Sequence, residues 1–217
     1  YEGFSKRDYS RPAVNKEKGM IPPKLARIML NFTGAREGNT IWDPFCGSGT
    51  ILMEALMLGC RVTGTDIDGA SIEETKSNLK WLCDEYWISH QNYAVFKHDI
   101  LEGMPDGVEF DAIVTEPFLG PVLRETVTVE RVMEIQEKIV PLYEKLEQVL
   151  VSGPDSRKRR LCVVIPGFKT HQGWIDMDVS FTEEHMTDIT ESLTSAPLQW
   201  DRPNSIIRRN IKVFESK

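Results

Sequence analysis

The chain has 217 residues, is 41% hydrophobic and carries a formal net charge of −7. That length suits one large domain, or one domain with an appended arm, with enough apolar content for a substantial core. No apolar run approaches the roughly 20 residues of a spanning helix. Four cysteines without a CxxC pair and four scattered histidines argue against a disulfide scaffold and a structural metal site.

The charge is uneven. Residues 1–36 carry eight Lys/Arg (Lys6, Arg7, Arg11, Lys16, Lys18, Lys24, Arg27, Arg36) against three acids (Glu2, Asp8, Glu17), a balance of +5, and the remainder carries −12. A basic arm therefore precedes an acidic globule. A phosphate-binding arm and a merely solvated N-terminus fit this charge equally well. The expected division is an arm and helix over 1–36 packing on a catalytic domain over 37–217. Cys46, Cys60, Cys83 and Cys162 read as free thiols of a cytoplasmic protein. No signal peptide is visible, but a start at Tyr1 leaves room for upstream sequence.

From residue 40 strand-like and helix-like patterns alternate. "TIWDPF" (40–45) predicts a strand, followed by a helix over about 49–58. "RVTGTDI" (61–67) predicts a second strand, with a helix over about 70–86 capped by Asp68. "YAVFKHDI" (93–100) and "FDAIVTEP" (110–117) predict a third and a fourth. A helix over about 128–151 contains Pro141, where a kink is expected. "RLCVVIP" (160–166) is continuously apolar, as suits a strand buried on both faces, and "SIIRRNIKVFE" (205–215) predicts a last, hairpin-paired strand. The alternation implies a doubly wound, mostly parallel α/β sheet.

In such sheets ligands bind beyond the carboxyl ends of the strands. The turn "CGSGT" (46–50) falls there, and Gly47 and Gly49 remove Cβ atoms where a ligand must approach backbone. Asp66 closes the second strand 23 positions after Asp43, near the roughly 20-residue offset at which an acid meets ribose hydroxyls in dinucleotide folds. Asp99 closes the third strand, where a short acid can accept from an adenine amine, and "TEPF" closes the fourth. Each acid alone could be a turn or cap residue; four polar strand ends together point to one crevice. Leu52 stands at the third glycine position of a nicotinamide-dinucleotide fingerprint, which disfavours that cofactor. "TDIDGA" (65–70) departs from the phosphatase acid pair at Gly64, Thr65 and Ala70, and from a calcium loop at Ala70 and Ser71.

"DPFCGSGTILMEA", "GTDID" and "VTEPF" resemble the class I S-adenosylmethionine-dependent methyltransferase domains of the RNA methylase family. Nearest are the THUMP-associated enzymes that methylate the exocyclic amine of guanosine in tRNA. "RDYSRPAVNKEKGMIPPKLARIMLNF" (7–32) is similar to the stretch before that family's first strand, and "IIRRNIKVF" (206–214) carries a weaker likeness. The resemblance implies a Rossmann-like sheet of seven strands, the last antiparallel. It implies S-adenosylmethionine as cofactor and S-adenosylhomocysteine as product. Asp43, Pro44, Phe45, Gly47 and Gly49 would surround the amino-acid end, with Met20 and Pro22 closing the methionine side. Asp66 would accept from the ribose with Ile67 on adenine, and Asp99 would meet the adenine amine with Ile100 nearby.

One motif departs from the family. Its acceptor sequence is Asp-Pro-Pro followed by an aromatic, whereas this chain reads Glu116, Pro117, Phe118, Leu119. In the family the acid orients the target amine and the aromatic stacks on the base, so Glu116, Pro117 and Phe118 are the candidate catalytic residues. Trp174 and Trp200 could flank an acceptor cleft, although burial suits them better, and "RKRR" (157–160) fits a solvated loop as well as a phosphate contact. The implied activity is methylation of an exocyclic amine in RNA, guanine N2 in tRNA above all. RNA would be bound through the arm, an upstream domain or a partner protein. A DNA or other amino-group methyltransferase, and a S-adenosylmethionine-binding module with little catalysis, are the alternatives.

Overall fold

The structure is a computed structural model that describes residues 2–14, 20–153, 157–179, 181–202 and 204–217. The chain forms two compact units, Tyr1–Thr115 and Glu116–Lys217.

The first unit opens with helices α1 (Glu2–Tyr9) and α2 (Pro23–Phe32). Pro23 suits the first turn of α2, where its missing N–H costs no helical bond, and Leu25, Ala26, Met29 and Leu30 form its buried stripe. There follow β1 (Thr40–Asp43), α3 (Thr50–Leu56), β2 (Arg61–Asp66), α4 (Gly69–Tyr86), β3 (Tyr93–Lys97) and β4 (Ala112–Thr115). These strands run parallel in the order β3–β2–β1–β4, with Asp43 opposite Gly64 and Trp42 opposite Ile113. Trp42 is wholly buried against Phe110, and its indole N–H donates to Thr65 Oγ1 at 3.1 Å, satisfying the polar end of the largest core side chain.

Local features mark the ends of three of these strands. Pro44 has no N–H with which to extend β1. β3 stops three residues earlier than the pattern suggests, because Asp99 caps a short 3₁₀ turn over Ile100–Glu102. At the end of β2, Asp68 caps α4 by accepting from the Ala70 amide at 3.0 Å, the role its position predicts.

The second unit contains α5 (Val129–Val151), β5 (Arg160–Thr170), β6 (Gly173–Asp176), β7 (Met186–Asp188), α6 (Thr190–Leu193), β8 (Gln199–Trp200) and β9 (Ile207–Ser216). α5 runs unbroken through Pro141 and buries Val132, Ile135, Ile139, Tyr143, Leu146 and Leu150. The Tyr143 hydroxyl donates to the Val164 carbonyl at 2.8 Å. β5 extends four residues past the expected Pro166, turning at Gly173 (φ +123) into β6. The last strand forms the expected hairpin with the two-residue β8 just before it, but its longest ladder is with the sequence-distant β5. β9 pairs antiparallel with β5, from Arg160 opposite Glu215 to Pro166 opposite Arg209, and also with β7 and β8. The fold class is Rossmann-like α/β. The described residues hold nine strands rather than seven, and β6 and β8, of four and two residues, account for the difference.

Candidate active site

The glycine turn lies between β1 and α3 and is held from β2 and α4. The Cys46 amide donates to the Thr65 carbonyl at 2.9 Å, and the Gly47 amide to Asp66 Oδ2 at 2.9 Å. Gly47 (φ +53) and Gly49 (φ +82) adopt left-handed backbone, which glycine enters at little cost. A Cβ on Gly49 would also lie 2.9 Å from Thr75 Cγ2. Two buried side chains of α4 hold the turn's carbonyls: Thr75 Oγ1 donates to Gly47 O at 2.6 Å and Asn78 Nδ2 to Ser48 O at 2.8 Å. Gly64 of β2 allows α3 to pack, since a Cβ there would sit 2.4 Å from Leu52 Cδ1. Thr75, Asn78 and Gly64 were not legible as site residues, because helix or strand periodicity accounts for each.

The strand-end acids have different surroundings. Asp43 is buried, and its Oδ1 accepts from Thr115 Oγ1 at 2.6 Å and from the Phe45 amide at 3.2 Å, joining the ends of β1 and β4. Asp66 Oδ1 accepts from the Asp68 amide at 2.9 Å, so backbone amides orient both oxygens of this carboxylate. Asp99 Oδ1 accepts from the Leu101 amide at 3.0 Å. Ile67 is 60% exposed beside Asp66. Ile100, in contrast, is 3% exposed because the 3₁₀ turn folds it inward, and Leu101 is the exposed apolar residue next to Asp99. The Cys46 thiol is pushed well above its usual pKa by burial, reinforced by Asp43 and Asp66.

These residues fit a nucleoside cofactor with a zwitterionic tail. An oriented carboxylate at Asp66 suits ribose hydroxyls, exposed Ile67 suits a purine face, and the turn is bare of Cβ where a tail must approach. Among the remaining candidates, Pro44 and Phe45 are in the β1–α3 turn, Pro22 caps α2, and Met20 Sδ accepts from Arg11.

In the second unit, Glu116 follows β4 in sequence and Pro117 and Phe118 come next; Phe118 is 56% exposed. The Glu116 carboxylate is gripped by Arg209 of β9, with Nε donating to Oε2 at 2.6 Å and Nη2 to Oε1 at 2.9 Å. Burial, with the Glu116 charge second, pushes the Tyr143 phenol far above its usual range. Trp200 and Trp174 are half-buried rather than buried, each with a guanidinium over its ring: Arg209 at 5.0 Å and Arg208 at 4.7 Å. Nothing in the local sequence separates Arg209 from its basic neighbour Arg208 as the partner of an acid 93 positions away.

The basic arm requires correction. Arg7 and Arg11 are buried and cannot serve as phosphate contacts. Arg7 pairs with the fully buried Glu54 of α3, which Arg27 also reaches at 2.8 Å. Arg11 donates to Thr50 Oγ1 at 2.7 Å, and burial lowers its pKa. Lys6 pairs with Glu85, while Lys16 and Lys18 lie outside the described residues. Two of the arm's eight cationic residues, Arg7 and Arg27, thus answer a buried carboxylate that burial would otherwise penalise heavily. In "RKRR", Lys158 and Arg160 pair with Glu215.

Comparison with known proteins shows the family and the fold. The family model described as RMKL-like, methyltransferase domain, matches residues 11–167. A tRNA (guanine(10)-N2)-dimethyltransferase of Methanothermobacter thermautotrophicus is 33% identical over 177 residues, covering 81% of this chain and 47% of that protein. A tRNA (guanine(10)-N2)-dimethyltransferase of Methanocaldococcus jannaschii is 32% identical over 135 residues, covering 60% of this chain and 38% of that one. The chain therefore spans less than half the length of these curated relatives. A possible methylase from Clostridium difficile 630 shares the fold, with a TM-score of 0.59 at 19% identity, over 99% of this chain and 56% of that one. With the match extending from the N-terminal segment to β5 and the glycine turn and strand-end acids in place, the chain belongs to the family of RMKL-like, S-adenosylmethionine-dependent methyltransferase domains.

Proposed function

We propose that this domain methylates the exocyclic N2 amine of guanine in tRNA, using S-adenosylmethionine and releasing S-adenosylhomocysteine. The observation that carries the reading is the hydrogen bond from the Gly47 amide to Asp66. It couples the bare-backbone turn to the acid suited to ribose, so one contact organises both ends of a nucleoside cofactor. The relatives named tRNA (guanine(10)-N2)-dimethyltransferases support the choice of acceptor.

When bound, the cofactor supplies an electrophilic methyl group on a sulfonium. Asp66 and Ile67 hold its nucleoside, Asp99 and Leu101 the far side of the base, and the 46–49 turn its tail. An exocyclic guanine amine is a poor nucleophile because its lone pair is delocalised into the ring. Glu116 would orient that amine by accepting an N–H and would take up the proton that the nitrogen loses once it carries the methyl group. Pro117 stiffens the segment after β4, and the exposed ring of Phe118 offers a stacking face for the base. In this reading RNA is held by surfaces other than Arg7 and Arg11, in an upstream domain or a partner. No described helix is long and apolar enough to cross a membrane, and we assign the protein to the cytoplasm with its tRNA substrate.

A second reading, a cofactor-binding module with little catalysis, draws on the Arg209 grip on Glu116. Mass spectrometry of nucleosides from tRNA and DNA incubated with the protein and isotopically labelled cofactor separates the readings. Labelled N2-methylguanosine is expected. Labelled deoxynucleoside would redirect the acceptor, and cofactor binding without label would favour the module.

A further inference from the structure

Asn78, on α4, is fully buried, and its amide makes three hydrogen bonds to two distant backbone segments. Its Nδ2 donates to Ser48 O, inside the glycine turn, at 2.8 Å and to Ala13 O, in the N-terminal segment, at 2.9 Å. Its Oδ1 accepts from the Ala13 amide at 2.9 Å. One side chain thus clasps Ala13 as a strand partner would, while holding a turn carbonyl with the same nitrogen. A second tie runs in parallel: Arg11, 3% exposed, donates to the hydroxyl of Thr50, the first residue of α3. A third links Arg7 to Glu54, one turn further along α3.

These ties go beyond what packing requires. A buried amide is satisfied by any partners, yet here the partners are the turn assigned to the cofactor tail and a segment more than thirty positions upstream. The turn contains two left-handed glycines and so has little conformational preference of its own. Its carbonyls are oriented from outside, by Thr75 and Asn78. Undocking the N-terminal segment would strip two of Asn78's three bonds and remove Arg11 from Thr50. The side chain could then rotate to regain partners or solvent, releasing the Ser48 carbonyl.

We propose that Asn78 is a positioning residue through which the N-terminal segment, residues 2–14, sets the shape of the cofactor turn, so that docking of this segment and binding of S-adenosylmethionine reinforce each other. The inference rests on the cofactor assignment above and adds that the segment is part of the cofactor site without touching the reacting atoms. Linkage requires the effect to be reciprocal: if the docked segment tightens the cofactor, the cofactor tightens the segment by the same factor.

The test combines calorimetry with hydrogen exchange on the whole chain. S-adenosylhomocysteine, used as the probe, is expected to slow amide exchange in residues 2–14 of the unaltered protein, and this measurement needs no variant to fold. Asn78→Ala and Arg11→Met, checked for folding by circular dichroism, are expected to weaken the probe about fivefold to tenfold, within the range of ordinary coupling. They should raise KM for the cofactor while leaving KM for RNA in place, and abolish the exchange response in 2–14. If the unaltered protein binds the probe but exchange in 2–14 is unchanged, the coupling is refuted. Equal affinity in a folded Asn78→Ala protein refutes it as well. Failure of the unaltered protein to bind either cofactor form would overturn the cofactor assignment, and the proposal with it.

Discussion

Arg209 and Glu116, 93 positions apart in sequence, form a two-pronged ion pair in which both carboxylate oxygens are engaged, at 2.6 and 2.9 Å. The side chains are only 9% and 16% exposed. Removing one partner of such a pair strands a buried charge, at a cost of about 3–5 kcal/mol. Glu116→Ala should therefore lower thermal stability as well as methyl transfer; Glu116→Gln keeps the shape but also leaves the Arg209 charge unpaired, so its melting temperature is measured beside its turnover. With Gln, turnover should fall by about 10²–10⁴-fold, the range of acid–base contributions, with cofactor affinity unchanged by calorimetry. Equal turnover for Glu, Gln and Asp at this position would leave the proposed transferase without an acceptor group.

Arg209→Lys tests the fork rather than the charge. A lysine offers a point charge and cannot reproduce two parallel N–H bonds. The variant should bind cofactor normally and methylate more slowly than the unaltered protein, with a smaller loss than Glu116→Gln. A double-mutant cycle with Glu116→Gln should be strongly non-additive, because the two residues are in direct contact.

Asp66→Ala should weaken S-adenosylmethionine by at least about tenfold, since each charge-assisted hydrogen bond contributes roughly 1.5–3 kcal/mol and a factor of ten is about 1.4. The Gly47 amide also loses its partner, so part of the loss comes through the turn. Unchanged affinity in a folded variant would remove Asp66 from the site.

Gly64→Ala adds one methyl group where 2.4 Å separates it from Leu52. Overpacking of this kind costs about 1–3 kcal/mol. Because Leu52 lies on α3, cofactor affinity should fall along with the denaturation midpoint. Gly107→Ala serves as the comparison for a left-handed glycine with open space around it; its backbone cost should appear in stability alone.

Alkali should destabilise the first unit through Cys60. Burial raises its thiol to about 11, above the unfolded value near 8.5. The folded state therefore holds the proton more tightly, and this stabilisation is complete below about pH 8.5 and lost as pH rises through 11. Denaturation midpoints measured from pH 8 to 11 should decline, and Cys60→Ala should flatten the decline. The same burial predicts slow alkylation of Cys60 at pH 8 in the native protein.

The glycine turn, the strand-end acids and the alternation of strands and helices were legible in the sequence because each is a local device. A bare turn needs its own glycines, an acid at a strand end is placed by its strand, and periodicity of two or near four survives without any partner. Asp43 and Asp66 accordingly end β1 and β2, while Asp99 stands two positions beyond the end of β3, capping the turn that follows. What only the tertiary structure decided is the destination of charges and amides that local pattern leaves open. A surface arm and a buried clamp can have the same composition, and only Glu54, buried on another helix, decides that Arg7 belongs to the second kind. Asn78 reads as an ordinary helix residue until Ala13 and Ser48 are brought to it, and Arg209 as half of a basic pair until Glu116 meets it. The physical reason is common to all three. A buried polar group costs free energy unless it is paired, so the fold supplies a partner, and that partner can lie anywhere along the chain.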